Sequence, residues 1–348
     1  MSSAPLAIVG SGMVTAVGLT AASACAAIRC GINNFQETRF IDSAGEWIIG
    51  SEVPLEQPWR GPAKLARMLC AAVRESYEAD ASLEPGKTPV IVCVAERERP
   101  GRDRELKRRL MEEVSRELAL PPDSITISQG KVAGVVALRE ARTMLYAKGH
   151  RAVIIAGVDS YLDGPTLAGY ERKRRLLTAD NSNGFIPGEG AAAIVVKRPV
   201  ASDEPQLIVA GIGFGIEKAT IDGEDPLRAD GMVEAIRNAL SDARTSMAAL
   251  DYRITDVSGE QYSFKEAALA MTRLMRVRKE EFDIWHPADC IGEVGAAAGP
   301  AVFNVAWAAS KKGYSKGRNI LCHFGNDDGK RAAAVLTYQP VRHAVAGR

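Results

Sequence analysis

The stretch SITISQGKVAGVVALREA, residues 124–141, reads as a short strand, a tight turn and the start of a helix. Enzymes mount nucleophiles on elbows of this kind, because a helix N-terminus favours a developing negative charge. The turn Ser128-Gln129-Gly130-Lys131 carries a lysine and no cysteine. Elsewhere Cys290 follows closely on His286, and Cys322 adjoins His323. A Cys–His pair can serve as nucleophile and base, since catalysis depends on geometry and not on sequence position. Free cysteine is nonetheless among the most buried residue types, so both thiols read first as small core residues.

Six scattered cysteines with no CxxC pair give no metal-ligand pattern, and a disulfide framework is not expected in a chain of 348 residues. No cofactor motif is present. A net charge of +1 gives no case for nucleic acid or an anionic membrane. The opening MSSAPLAIVGSGMV lacks a basic segment leading into a long apolar one, which gives the expectation of a cytoplasmic protein. Two charged runs stand out. ERERPGRDRELKRR, residues 96–109, mixes signs and reads as a solvated loop and helix face. ERKRR is one-sided, and its Arg172, Lys173, Arg174 and Arg175 are either a solvated surface or a partner-docking patch.

The elements that would position these groups come in two similar sets. PLAIVGSGMVTAVG and QLIVAGIGFGIE are apolar strands running into glycines, and KLARMLCAAVRESYEA and GMVEAIRNALSDA have helical spacing of apolar residues. The strands TPVIVCVAE and RITDVSGEQ are each followed by a charged amphipathic helix. Each set then has a strand, an elbow, a helix and two closing strands; the second elbow lies between FDIWHPAD and the helix of EVGAAAGPAVFNVAWAASKKG. Strands alternating with helices predict mainly parallel sheets covered by helices. The small residues of VGAAAGPAVFNVAWAA suit a helix sandwiched between two sheets. The break falls near RPVASDEPQ, giving halves at 1–200 and 201–340 and a tail at 341–348.

Five motifs in order, IVGSGMVTAVG, AVIIAGVDS, GFIPGEGAAAIVV, IGEVGAAAG and LCHFGNDDG, span the chain from Ala7 to Val335. The series resembles the thiolase fold, and specifically the β-ketoacyl-acyl-carrier-protein synthases, or ketosynthases. The resemblance implies an α/β body of two similar βαβαβαββ halves in five layers, α-β-α-β-α. It also implies a decarboxylative condensation that needs an elbow cysteine and two histidines. In this chain the cysteine position holds Lys131, or Gln129 in the alternative register. Ser258 and Glu293 stand at the two histidine positions, and Ala288 at the family's lysine. A carboxylate where an enolate must be stabilised would repel it. Phe324 matches the family's acyl-pocket phenylalanine, with a core aromatic as the plain reading, and Asn326-Asp327-Asp328 would make the pocket mouth polar.

These departures imply a ketosynthase-like protein without condensing chemistry, acting as a partner or scaffold. One precedent is the chain-length factor, which pairs with an active ketosynthase; another is the short thiolase-like accessory protein of bacterial effector secretion. The resemblance implies a homodimer, or a heterodimer with a ketosynthase-like chain, joined at the strand Ser124–Ser128. Acyl carrier protein and effector or adaptor proteins are further partners it suggests. The rival reading is an active acyltransferase, or 3-oxoacyl synthase, using a rearranged nucleophile such as Cys290 with His286. Because the two elbows of the fold converge, Lys131 is expected either to pair with Glu293 and plug the old site, or to turn outward to solvent.

Overall fold

The computed structural model describes residues 4–201 and 204–340, so the tail assigned to 341–348 lies outside the described residues. In the first half, β1 (Leu6–Thr15) leads to α1 (Ala21–Arg29), a hairpin of β2 (Gln36–Ile41) and β3 (Trp47–Gly50), and α2 (Gly61–Glu78). Then come β4 (Val90–Val94), α3 (Leu106–Glu117), β5 (Ile125–Ser128) and α4 (Ala133–Tyr146). β6 (Ala152–Ser160), α5 (Gly164–Arg172) and β7 (Glu189–Lys197) complete the half. The second half repeats the plan with β8 (Gln206–Ile216), α6 (Asp230–Ala243), β9 (Tyr252–Thr255), α7 (Gln261–Leu274) and β10 (Ile284–Trp285). It ends with α8 (Ala288–Ile291), α9 (Ala298–Lys311), β11 (Asn319–Gly325) and β12 (Lys330–Gln339).

Alternating burial along the strands sorts the apolar side chains into layers. On β4, Ile91 and Cys93 point into one core while Val90, Val92 and Val94 point into another. The first of these cores is central and holds α4 and α9 between the strands of both halves. The second lies under α2 and α3, and a third lies under α6 and α7. The result is the five-layered thiolase-like fold. Small residues let α9 be buried nearly all round, from Ala298 to Ser310.

Among the described residues the strands of the two halves form one hydrogen-bonded sheet, in the order β10-β9-β11-β12-β8-β1-β7-β6-β4-β5. The two sets meet through three residue pairs, Leu6–Val209, Ala7–Ile208 and Ile8–Leu207. The expectation of mainly parallel sheets needs correction. β4 with β5 and β6, and β9 with β10 and β11, are parallel, but the six strands from β11 to β6 are joined by antiparallel pairs. The closing strand of each half turns back on its neighbour, and the short loop before β12 leaves no room for a crossover helix.

Candidate functional site at the paired elbows

Both elbows are built alike. After β5, a 3-10 turn over Gly130–Val132 runs into the 14-residue α4; after α8, a 3-10 turn over Gly295–Ala297 runs into the 14-residue α9. Gly130 and Gly295 have φ of 53° and 51°, a left-handed conformation that suits glycine. There is no room for a side chain either. A Cβ on Gly130 would lie 2.2 Å from Glu96 Oε2, and one on Gly295 would lie 2.2 Å from Asp159 Oδ2. Both carboxylates belong to one cluster. Arg99 donates to both Asp159 oxygens at 2.6 Å and to Glu96 at 3.1 and 3.2 Å. Asp159 also accepts the amide of Ala296 at 2.8 Å, which ties the cluster to the second elbow.

Lys131 does not turn outward. Its side chain is 14% exposed, and Nζ lies 3.2 Å from Glu293 Oε2 and 3.6 Å from Asp256 Oδ2. The same Glu293 oxygen accepts the Ser258 hydroxyl at 2.8 Å, while Oε1 accepts the Gly295 amide at 2.9 Å. Lys131, Ser258 and Glu293 therefore meet as one hydrogen-bonded group, and Ala288 borders the small void beside Glu293. Burial alone would lower the lysine pKa, but Glu293 first and Asp256 next hold the ammonium well above its ordinary range. Asp256 is raised by its own burial, against the pull of Lys131. The voids on the two sides of this group measure about 20 and 10 Å³, room for a single water and not for an acyl chain.

The polar loop after β11 locks the first elbow from the other half. Asn326 Nδ2 donates to the Gln129 carbonyl at 2.8 Å, and its Oδ1 accepts the Val132 amide at 3.3 Å. Gln129 thus takes part through its backbone. Phe324 is wholly buried in the central core, edge-on to Phe303 at 5.8 Å between ring centroids.

Arg175 departs from the docking expectation. It is 6% exposed and grips Glu260 with two bonds of 2.6 Å, while Asp327 takes a third at 2.7 Å. A guanidinium so occupied has nothing left for a partner. Arg172, Lys173 and Arg174 remain at the surface, with Lys173 paired to Asp222 at 2.6 Å. Arg99 is a second correction: it lies in a run read as solvated yet is 5% exposed. Each arginine has a carboxylate partner far along the chain, Asp159 for Arg99 and Glu260 and Asp327 for Arg175, that its local run does not announce.

Cys290 and His286 line a separate cavity of about 480 Å³ with Trp285 and Tyr314. Cys290 is buried, which pushes its thiol up to about 11, and His286 Nδ1 lies 2.8 Å from Asp289. Cys322 is fully buried and raised further by burial. No group of three or more His, Cys, Asp or Glu side chains suited to a metal ion occurs among the described residues. Nor, among them, is any helix long and apolar enough to cross a membrane.

No protein-family model matches the chain. A protein of Schizosaccharomyces pombe, described as a putative mitochondrial 3-oxoacyl-(acyl-carrier-protein) synthase, is 27% identical over 172 residues. That match spans 43% of this chain and 40% of that protein, less than half of each. Solved structures match nearly end to end. The ishigamide ketosynthase/chain length factor gives a TM-score of 0.79 at 17% identity, over 97% of this chain and 99% of that one. A ketosynthase in complex with its chain length factor from Xenorhabdus doucetiae gives 0.75 at 14% identity, over 96% and 98%. A type II polyketide ketosynthase in complex with its acyl-carrier protein gives 0.78 at 13% identity, over 97% and 100%. At these identities the likeness shows a ketosynthase-like fold.

Proposed function

We propose that this chain is a catalytically silent ketosynthase-like protein that works as a partner or scaffold. The observation that carries the reading is the Lys131–Glu293–Ser258 group, which occupies the space between the elbows. A condensing site needs a thiolate to accept the acyl group and donors aimed at the developing oxyanion. Here the elbow offers an ammonium already engaged by carboxylates, and a carboxylate faces the place where negative charge would develop. An association role needs none of these groups. β5 lies at one edge of the sheet with Ile125 exposed, a strand that a second chain can extend. The second chain on this reading is another copy or a ketosynthase-like mate, in the manner of a chain-length factor, or an effector or adaptor protein.

The test is to incubate the pure chain with acyl and malonyl thioesters and measure intact mass and condensation product. The expected result is no adduct and no product. A covalent acyl group that disappears with Cys290→Ala would replace this reading with the acyltransferase one, for which the Cys290–His286 cavity is the supporting observation.

A further inference from the structure

A cleft of about 470 Å³ opens on the outer side of the first half, between the start of α2, the start of α5 and the loop from Ala95 to Asp103. It is distinct from the space between the elbows. Arg99 and Asp159 line it and turn their other side to the second elbow. Its apolar wall comes from Leu65, Leu106 and Leu162, with Pro62 and Pro165 at the two helix starts. A concave, largely apolar site of this size with a few converging polar groups is the usual form of a small-molecule site.

The charges around it are unevenly satisfied. Each carboxylate of the lining already has a partner. Lys64 holds Glu52 at 2.7 Å and Glu189 at 2.5 Å, Arg99 holds Asp159, and Arg109 holds Asp103 at 2.7 Å. Asp163 caps α5 by accepting the Thr166 amide at 3.1 Å. Two guanidiniums of the lining have no such partner among the described residues. Arg102 donates only from Nη1, to the Asp103 carbonyl at 3.2 Å, and its Nε is buried without an acceptor. Arg60 is exposed at the cleft and makes no ion pair or side-chain hydrogen bond among the described residues. It also stands at the N-cap of α2, which has no side-chain cap and no acidic residue in its first turn. Burial, and next the neighbouring Arg99, make the Arg102 cation less favourable than an ordinary guanidinium. Arg102 is half-buried, and a guanidinium with an unused Nη2 can form a charge-assisted pair with an incoming oxyanion.

We propose that this cleft binds a small amphipathic oxyanion, a phosphate or carboxylate on a short apolar body. The head group sits on Nη2 of Arg102, the accessible nitrogen that has no acceptor, with Arg60 beside it, and the tail lies against Leu65, Leu106 and Leu162. Either head group satisfies that nitrogen; the two are told apart by titration.

The experiment is calorimetry of the full chain at low salt with octyl phosphate, octanoate, octanol and inorganic phosphate. One of the two octyl anions is expected to bind more tightly than both octanol and inorganic phosphate, and the winner names the head group. Arg102→Gln should weaken it by roughly tenfold or more, the loss of a charge-assisted pair, with an unchanged melting temperature. Arg60→Gln, at an exposed position that cannot upset folding, should weaken it less. No binding of either octyl anion overturns the proposal. So does affinity that survives both substitutions, or inorganic phosphate binding as tightly as the octyl anions.

Discussion

Lys131 Nζ and Glu293 Oε2, on opposite elbows of the fold, stand 3.2 Å apart with Asp256 as a second counter-charge at 3.6 Å. The ammonium sits at the positive end of α4, where the helix dipole disfavours it, so the carboxylates must supply what the backbone withholds. Glu293→Ala strands most of that charge. The expected loss is about 3 kcal/mol, the lower end for breaking a buried pair, because Asp256 remains. Lys131→Met with Glu293→Gln should recover most of it, and urea unfolding of the three chains measures both. Since the lysine pKa is raised, its stabilisation is fully present below the ordinary lysine pKa of about 10.4 and fades only in alkali.

His323 gives the opposite pH signature. It is 1% exposed, and burial, with help from Arg253, lowers its pKa to about 3. Below about pH 6.5 the unfolded chain takes up a proton that the folded chain refuses, so stability falls by roughly 1.4 kcal/mol per pH unit down to the folded value. His323→Gln should remove that slope. Equal slopes for both chains between pH 6 and 4, windows set roughly by these two values, would count against it.

Arg175→Ala leaves Glu260 and Asp327 without their shared cation. A loss of about 3–5 kcal/mol is expected, as for other buried pairs broken from one side. Arg172→Ala, at the surface, should cost less than about 0.5 kcal/mol. Thermal melts of the two variants side by side separate the buried arginine from its neighbour in the same run.

Ile125 is 37% exposed on the edge strand β5. Light scattering of the wild-type chain, alone or with a ketosynthase-like mate, should give a dimer mass. Ile125→Asp should return it to monomer without changing its circular dichroism, because a charge on an open edge opposes strand addition. A wild-type chain that stays monomeric alone and with such a mate would end the association reading.

Gly134 and Gly299 mark where α4 and α9 cross, and a Cβ on Gly134 would lie 3.0 Å from the Cα of Gly299. Gly134→Val should therefore force the central helices apart, at a cost of about 1–3 kcal/mol or more, and lower the melting temperature.

The architecture was legible because both halves repeat one order of strands, helices and elbows. The placing of Lys131 opposite Glu293 came from the resemblance to the ketosynthases, whose two elbows converge. What stayed hidden was set by distant partners. Arg99 and Arg175 sit in charged runs that look solvated, and only Asp159, Glu260 and Asp327 make them internal. α5 is nine residues long, too short to show a period, though Asp163 as N-cap and Pro165 in the first turn were available as a start signal. The β2–β3 hairpin stands outside the large sheet and leaves Ile41 and Trp47 exposed, so burial imposes little alternation on it. The cleft at Arg102 depends on which charges are already spoken for, a fact of three-dimensional pairing.

The seam between β1 and β8 has a consequence for the growing chain. β1 precedes both of its sheet neighbours, β7 and β8, in the chain. At ~5–20 residues per second, the roughly 180 residues that separate them take on the order of ten seconds or more to appear. For that time Leu6, Ile8 and Met13, all wholly buried in the finished protein, have no sheet to join. The first half can close only once β7, its last strand, has been made, so its core stays open until that point in synthesis.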